Sequence, residues 1–199
     1  MCSPHSRAGE GSEEVPDSVT DRSPEGRKAV PPVAVIGVGN LLMSDEGIGI
    51  HVVRALRRRR IPRWIEIIDG GTGGLALLNV MRDREMVIIV DAVALRAPPG
   101  AVFRWIPAAA DERASIHRSA HTEGIEEVLR AGWALGLLPP VVCIGIVPFT
   151  ISSPKSTLSP VLRRRLPAIV NMVLAEGIRR RAVRSKRARG SGHPDRQRV

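Results

Sequence analysis

The sequence predicts an α/β domain in which a largely parallel sheet is covered by helices on both faces. Short apolar runs, typical of strands that are buried on both sides, alternate along the chain with segments of helical spacing. The first run and the first helical segment are joined by a glycine turn within residues 33–50, VAVIGVGNLLMSDEGIGI. Residues 31–176, which show this alternation, are enough for a single domain with its own hydrophobic core.

Each strand is predicted from an apolar run that is bounded by glycine, proline or acidic residues. The predicted strands are residues 33–38, 64–68, 86–90, 101–106 and 141–147. Right-handed crossovers place the second strand on one side of the first and the third strand on the other side. The winding direction therefore reverses beside the first strand, and a crevice is expected there at the carboxyl edge of the sheet. The run at 101–106 is expected to be a short extra strand, which makes about five strands in all.

The helices are predicted from apolar spacing and from residues that start or stop helices. The predicted helices are residues 46–59, 72–81, 121–135 and 159–176. Ser44 and Thr72 are the expected caps of the first two helices, and Pro62 ends the first. Pro167 is expected to break or bend the last helix, because proline removes a hydrogen bond from a helix interior.

Both ends of the chain lack the apolar pattern of a folded domain. Residues 1–30 are rich in Ser, Glu, Pro and Gly, residues 177–199 are rich in arginine, and both are expected to be disordered. The net charge of +10 divides into −2 for residues 1–30, +4 for 31–176 and +8 for 177–199. Aromatic residues make up 3% of the chain and tyrosine is absent, so base stacking on nucleic acid is not expected. The basic tail leaves contact with an anionic partner open, with nucleic acid as the less favoured case.

The lack of recognisable targeting signals and the small number of cysteines indicate a reducing compartment. No apolar run approaches the roughly 20 residues of a membrane-spanning helix, and the polar start lacks the apolar stretch of a signal peptide. We therefore expect a cytoplasmic protein that makes no contact with a membrane. Cys2 and Cys143 do not suggest a disulfide framework, and Cys143, within an apolar run, is expected to be an inert buried thiol.

Acidic side chains follow the predicted strands at the points where those strands end. Asp45 and Glu46 open the first helix, Asp69 follows the second strand and Asp91 follows the third. Each has an ordinary structural interpretation, because carboxylates suit helix N-termini and aspartates favour turns. Because parallel strands end at the same edge of the sheet, all four carboxylates are expected to gather there.

A histidine, His121, begins the predicted third helix after a long polar loop. Long loops without regular structure are often functional, and a helix N-terminus disfavours the imidazolium form. The neutral ring that results can ligate a metal. His117 and His51 remain alternatives to His121.

Glu46, Asp91 and His121 together offer two carboxylates and one imidazole. That set suits a divalent ion such as zinc, nickel or iron with coordination positions left open. The chain contains no H-E-x-x-H, paired C-x-x-C or G-x-S-x-G motif. The turn GVGNLL lacks the third glycine of a dinucleotide site, and no Walker loop is present. The glycine-rich loop 69–74 is either a flexible connection or a place where a peptide backbone can approach closely.

Five segments of the chain resemble the hydrogenase maturation endopeptidases. They are GVGNLLMSDEGIG, IIDGGTGG, VIIVDAV, SAHTEGIEEVL and VCIGIVP, in this order, and the resemblance spans residues 33–176. It implies a three-layer α/β/α fold. It also implies that the protein removes a C-terminal extension from the large-subunit precursor of a nickel-iron hydrogenase after nickel has been inserted.

The resemblance also assigns residues. It implies that Glu46, Asp91 and His121 act in catalysis by contacting nickel that the substrate supplies. The substrate-positioning residues that it implies are Asp69, Gly70 and Gly71. Residues 96–120 match the pattern poorly, and both tails lie outside it. The alternative function is a non-catalytic maturation chaperone that binds nickel or the large subunit, because the same three ligands would serve that role.

Overall fold

A computed structural model of the chain describes residues 31–107, 124–151 and 154–190. Within these residues, five strands form one sheet and four α-helices accompany them. The strands are β1 (Val33–Gly37), β2 (Ile65–Asp69), β3 (Met86–Ala92), β4 (Val102–Trp105) and β5 (Val141–Ile146). The helices are α1 (Ile48–Leu56), α2 (Leu77–Met81), α3 (Gly124–Ala134) and α4 (Pro160–Gly190).

The strand order of the sheet is β2-β1-β3-β5-β4. β1 pairs in parallel with β2 and β3, so that Val33 lies opposite both Ile65 and Met86. β5 extends the parallel sheet beside β3, and β4 closes it as an antiparallel edge strand. The predicted neighbours of β1, the short extra strand and the mostly parallel sheet are therefore confirmed.

The core is divided into two layers by the sheet. Val35 and Ile88 belong to the apolar cluster that α1 and α4 cover, whereas Ile36 and Ile89 belong to the cluster under α2 and α3. Every residue of β1, β3 and β5 is buried, as expected for strands with helices on both faces. The three-layer α/β/α fold is confirmed.

The two predicted helix caps are wrong. A 3₁₀ turn, Ser44–Gly47, precedes α1, and the Ser44 hydroxyl donates instead to the carbonyl of Thr157, 3.2 Å away. α2 begins only at Leu77, with no side-chain hydrogen bond at its cap, rather than after Thr72. The glycines that follow Thr72 adopt φ values of 89° and 101°, which lie outside the helical region and delay the helix.

The closing helix is longer than predicted. α4 continues through Pro167 without a break and passes the expected end at residue 176 to reach Gly190. The prediction of disorder from residue 177 is therefore wrong for the backbone of 177–190. Residues 178–189 contain neither glycine nor proline and are mostly arginine and alanine, which favour helices. The domain limits 31–176 stay a prediction, and residues 1–30 and 191–199 lie outside the described residues.

Candidate active site at the carboxyl edge of the sheet

The start of α1 lies directly against the ends of β1 and β3. A Cβ atom on Gly49 would lie 2.2 Å from the carbonyl oxygens of both Val38 and Val90. A Cβ atom on Gly37 would lie equally close, 2.2 Å, to the carbonyl oxygen of Gly49. Only glycine permits this approach of helix to strand, and it brings the 3₁₀ turn into contact with β3.

Glu46 lies in this 3₁₀ turn and is half-buried. Its backbone N–H donates to the carbonyl of Met43 at 3.2 Å. Gly39, with φ of 150°, passes so close that a Cβ atom there would lie 2.3 Å from the Glu46 carbonyl oxygen. The backbone of Glu46 is thus held tightly at the carboxyl edge, while its side chain keeps access to solvent.

Asp91 lies near the end of β3, opposite Gly145 of β5, and is 4% exposed. Its Oδ1 accepts the N–H of Ala92 at 2.7 Å, which fixes the carboxylate relative to the strand. Because the turn that carries Glu46 contacts β3, the two predicted carboxylate ligands lie at the same edge of the sheet. That they bind one ion stays a prediction.

Asp45 has a structural role that the sequence did not reveal. It is fully buried, and its carboxylate accepts three backbone N–H groups. These come from Phe149 at 2.9 Å, Thr150 at 3.3 Å and Ser159 at 2.7 Å. Asp45 therefore ties the loop after β5 and the start of α4 to the 3₁₀ turn. The side chain of Asp45 does not cap α1, because its hydrogen bonds go to residues more than 100 positions away.

Ser44 supports the same junction through an unusual backbone conformation. Its φ of 53° lies in the left-handed region, which costs a non-glycine residue roughly 1–3 kcal/mol. The N–H of Ser44 donates to the carbonyl of Lys155 at 2.6 Å, and its hydroxyl donates to Thr157. These bonds hold the strained residue in place, so the segment 155–159 sets the position of the turn that presents Glu46.

Asp69 ends β2 and organises the glycine turn that follows it. Its Oδ1 accepts the N–H of Gly71 at 3.1 Å, and its Oδ2 lies 3.3 Å from Nε of Arg54. The N–H of Gly39 donates to the Gly71 carbonyl, and that of Gly70 donates to the Gly37 carbonyl, both at 2.8 Å. The implied substrate-positioning residues therefore lie at the carboxyl edge. Space is open beside Gly71, where an added Cβ atom would meet nothing within 4 Å.

The histidines divide between described and undescribed parts of the chain. His121 and His117 lie outside the described residues. His51 lies in α1, and its buried Nε2 has no hydrogen-bond partner among the described residues. Burial and then the nearby Arg54 lower the pKa of His51, although Asp45 opposes this effect, so the neutral form of the ring is favoured. Within the described ranges no three His, Cys, Asp or Glu residues form a metal-binding group, so His51 does not complete one with Glu46 and Asp91.

Cys143 lies on β5, buried opposite Ile89 of β3. Burial, together with the negative charge of Asp91, raises the pKa of the Cys143 thiol far above its usual range. Because the thiolate is the reactive form, this side chain is inert at neutral pH. The expectation of a buried thiol rather than a nucleophile is confirmed.

Three large apolar side chains near this edge were missed in the sequence analysis. Leu42 is 70% exposed in the loop after β1, and Phe149 is 62% exposed in the loop after β5. Ile151 is also exposed, and the two residues that precede it, Phe149 and Thr150, donate N–H groups to Asp45. The signal in the sequence is that bulky apolar residues stand in two loops where polar residues are usual.

Comparison with known proteins identifies relatives of this chain. A family model described as hydrogenase maturation protease matches residues 50–176, a range that includes Asp91 and His121 and begins four residues after Glu46. The hydrogenase 2 maturation protease of Escherichia coli strain K12 is 35% identical over 150 residues. That alignment covers 72% of this chain and 88% of the relative.

Solved structures have the same fold. The hydrogenase maturating endopeptidase HybD of E. coli superposes with a TM-score of 0.63 at 33% identity, covering 72% of this chain and 90% of that one. The [NiFe] hydrogenase maturation protease HybD of Thermococcus kodakarensis superposes with a TM-score of 0.61 at 25% identity, covering 73% and 98%. In the described part of this chain, no helix has both the length and the apolar character needed to cross a bilayer. The chain belongs to the hydrogenase maturation protease family, and it is therefore a peptidase.

Proposed function

We propose that this peptidase removes the C-terminal extension of a nickel-iron hydrogenase large-subunit precursor after nickel insertion. The observation that carries the proposal is that Glu46 and Asp91, from distant parts of the chain, lie at one edge of the sheet. The neighbouring Asp45 uses its carboxylate on three backbone N–H groups, which supports giving it a structural role rather than a place among the proposed ligands. The relative from T. kodakarensis is named as a [NiFe] hydrogenase maturation protease, which supports this class of substrate.

In this proposal Glu46, Asp91 and His121 contact nickel that is already held by the precursor. Carboxylates and imidazole are accepted ligands of nickel, and the ion enters as part of the substrate rather than as a resident cofactor. Held by these residues, the nickel of the precursor would supply polarisation of the scissile carbonyl or of a water molecule. The protein contributes orientation, because the Ala92 N–H fixes the Asp91 carboxylate and the glycine contacts fix the backbone of Glu46.

The surroundings of the edge suit an extended peptide. The open space beside Gly71 lets a peptide backbone approach the turn that Asp69 organises. The exposed side chains of Leu42 and Phe149 offer apolar contacts on the other side of the edge. We further propose that the enzyme acts in the cytoplasm, in keeping with the free thiol of Cys143.

The decisive experiment compares two matched glutamate variants. Glu46→Gln removes the negative charge of a proposed ligand at the carboxyl edge. Glu127→Gln, the control, removes a negative charge from the exposed surface of α3. Purified nickel-loaded precursor is incubated with each variant, and the shortened product is followed by intact mass. Because Glu46→Gln removes a charged contact that would hold the nickel-loaded precursor in place, and lost positioning costs about 100-fold in rate, this variant is expected to process at least about 100-fold more slowly than Glu127→Gln. His121→Ala is expected to lose activity in the same way.

Nickel dependence is tested with precursor that was prepared without the metal. The unchanged enzyme is expected to leave that precursor uncleaved while processing the loaded form. Normal processing by both Glu46→Gln and His121→Ala, with thermal unfolding unchanged, contradicts the assigned contacts. A stable complex with nickel-loaded precursor but no shortened product would identify the chaperone function instead.

A further inference from the structure

The amino edge of the sheet, opposite the candidate site, carries a concentration of positive charge. Arg58, Arg59 and Arg60 follow the end of α1 and are exposed, as is Arg63, which precedes β2. Within the described residues, Arg58, Arg60 and Arg63 form no ion pair, and Arg59 donates to Oδ1 of Asn171 on α4. These four arginines and the helical segment 178–190 are called the basic pole below.

The two parts of the basic pole lie toward the same end of the domain, because α1 packs against α4 and Arg59 contacts Asn171, about two turns before residue 178. α4 begins beside Asp45 at the carboxyl edge, where the Ser159 N–H reaches that carboxylate. By Gly177 it has crossed to the amino edge, since a Cβ atom there would lie 3.1 Å from Cδ1 of Ile65, the first residue of β2. The remaining 13 residues of α4 extend beyond the sheet for about 20 Å, at 1.5 Å per residue.

The charge of the basic pole is not balanced by the acids near it. Seven of the eleven residues at 179–189 are Arg or Lys, and none is acidic. Glu176, the last acidic residue before this segment, already pairs with Arg104 and Arg179. Glu66, on β2, pairs with Arg84 at 2.6 Å. A surface with this excess of one sign attracts an anionic ligand.

The chain carries such a ligand in its own N-terminal segment. Residues 8–21 contain five acidic side chains and no Lys or Arg: Glu10, Glu13, Glu14, Asp17 and Asp21. The segment joins the domain at Pro31, whose carbonyl accepts Nη1 of Arg84 at 2.7 Å, and β1 then starts beside Ile65. Ile65 is the residue that Gly177 approaches, so the N-terminal segment leaves the domain where the basic helix also leaves it.

The length of the connection allows contact. Nine residues lie between Asp21 and Pro31, and the ten Cα-to-Cα steps of a fully extended chain, at about 3.5 Å each, span at most about 35 Å. That reach exceeds the roughly 20 Å by which α4 projects. A short tether of this kind gives an effective concentration on the order of millimolar, which favours even a weak charge contact.

We propose that residues 8–21 dock on the basic pole as an intrachain acidic ligand and exclude other polyanions from it. The contact is electrostatic, so it weakens as salt shortens the Debye length. The inference is independent of the proposed function, because the basic pole lies at the opposite edge from Glu46 and Asp91. It assigns a role to the N-terminal segment and to the arginine-rich end of α4, neither of which enters the proposed cleavage.

A spin label placed within the acidic segment tests the contact. The full-length chain with Cys2→Ser and Ser18→Cys is labelled with a nitroxide, and Cys143 stays unlabelled because it is buried. At about 20 mM salt, where charges act over long range, backbone amide signals of residues 58–63 and 178–190 are expected to broaden. At about 0.5 M salt the broadening is expected to disappear. In the matched control, the five acidic residues are replaced by Gln or Asn, and no broadening is expected at either salt concentration.

Competition, substitution and mixed-chain experiments show whether residues 8–21 of the same chain occupy the basic pole. Heparin, used as a probe polyanion, is expected to relieve the broadening by competing for the basic pole, as is the triple change of Arg58, Arg60 and Arg63 to Gln. Broadening that is absent at low salt, or that persists with saturating heparin, overturns the proposal. Broadening of an unlabelled isotope-enriched chain by a separate spin-labelled chain also overturns it, because the occupant is then a second copy.

Discussion

The two edges of the sheet are built in different ways. At the carboxyl edge, main-chain atoms meet directly: Gly49 lies against the carbonyls of Val38 and Val90, and the buried Asp45 carboxylate binds three backbone N–H groups. At the amino edge, main-chain hydrogen bonds such as that from the Glu85 N–H to the Pro32 carbonyl join the strand starts, and exposed long side chains add contacts around them, as where Arg59 reaches Asn171. Close main-chain packing at the glycines distinguishes the carboxyl edge, and exposed arginine side chains distinguish the amino edge.

This difference shows how one small domain combines a site whose residues have fixed positions with a surface that tolerates substitutions. Main-chain contacts leave no room for adjustment, so residues such as Glu46 are held at fixed positions for chemistry. Arginine side chains with several rotatable bonds can adapt, so a charged surface accepts changes in sequence as long as its sign is kept. Substitutions of the same kind are therefore expected to have unequal effects at the two edges.

The largest difference is expected between two glycine substitutions. Gly49→Ala places a methyl group 2.2 Å from two carbonyl oxygens, and we expect overpacking to lower the free energy of unfolding by about 3 kcal/mol. Gly177→Ala meets only the movable side-chain ends of Ile65 at 3.1 Å and Ile88 at 3.7 Å and gains helix propensity, so its effect is expected to stay within about 1 kcal/mol. Urea denaturation of both variants measures the contrast. Equal losses in the two proteins would show that the edges are equally rigid.

A second comparison concerns how much the neighbouring carboxylates of Asp45 and Glu46 each contribute to the free energy of unfolding. Asp45→Asn turns one acceptor oxygen of a buried group into a donor that faces a backbone N–H, and a loss of about 2 kcal/mol in unfolding free energy is expected. Glu46→Gln changes a half-buried side chain and is expected to alter stability by no more than about 0.5 kcal/mol. The same urea measurement applies. A larger loss in Glu46→Gln than in Asp45→Asn would reverse the roles assigned to the two residues.

A smaller effect is expected from pH through His51. Its pKa in the folded protein is lowered, chiefly by burial and then by Arg54. As the pH falls through the unfolded value of about 6.5, the unfolded chain takes up the proton first, so folded stability decreases. Wild type is therefore expected to lose more stability than His51→Gln between about pH 7.5 and 5.5. Identical losses in the two proteins would remove His51 as the source of this dependence.

The last prediction is that the thiol of Cys143 does not react with an alkylating reagent in the folded protein. Because burial and Asp91 raise the pKa of this thiol, the Cys2→Ser chain is expected to incorporate no iodoacetamide under native conditions at about pH 8. In urea the same chain is expected to gain one label, as measured by intact mass. Rapid native labelling would indicate that β5 opens readily beside the site.

Much of this arrangement could be predicted from the local pattern. The apolar runs and their connections were enough to predict that β1 lies between β2 and β3, and that Glu46 and Asp91 lie at the carboxyl edge. The end of α4 was misjudged because charge dominates residues 177–190, although their residue types favour a helix. The position of His121 at the start of the third helix stays a prediction, because residues 108–123 lie outside the described residues.

The roles of Ser44 and Asp45 could not be predicted from their neighbours. A serine followed by acidic residues ahead of an apolar helix is typical of a helix start, yet both side chains bind backbone atoms from residues 149–159. Capping and long-range hydrogen bonding use the same oxygen atoms. The choice between them depends on what the fold brings within about 3 Å.

The sequence by itself determined the periodic features: the alternation of strands and helices, the glycines at the first turn, and the opposite charges of the two tails. These features follow from the residues next to one another, because burial patterns and backbone freedom are local properties. The tertiary structure alone decided which carboxylate is structural, where α1 begins, and that the acidic N-terminal segment leaves the domain beside the basic helix. Those outcomes depend on contacts between residues that are distant in the chain, and such contacts exist only once the sheet has formed.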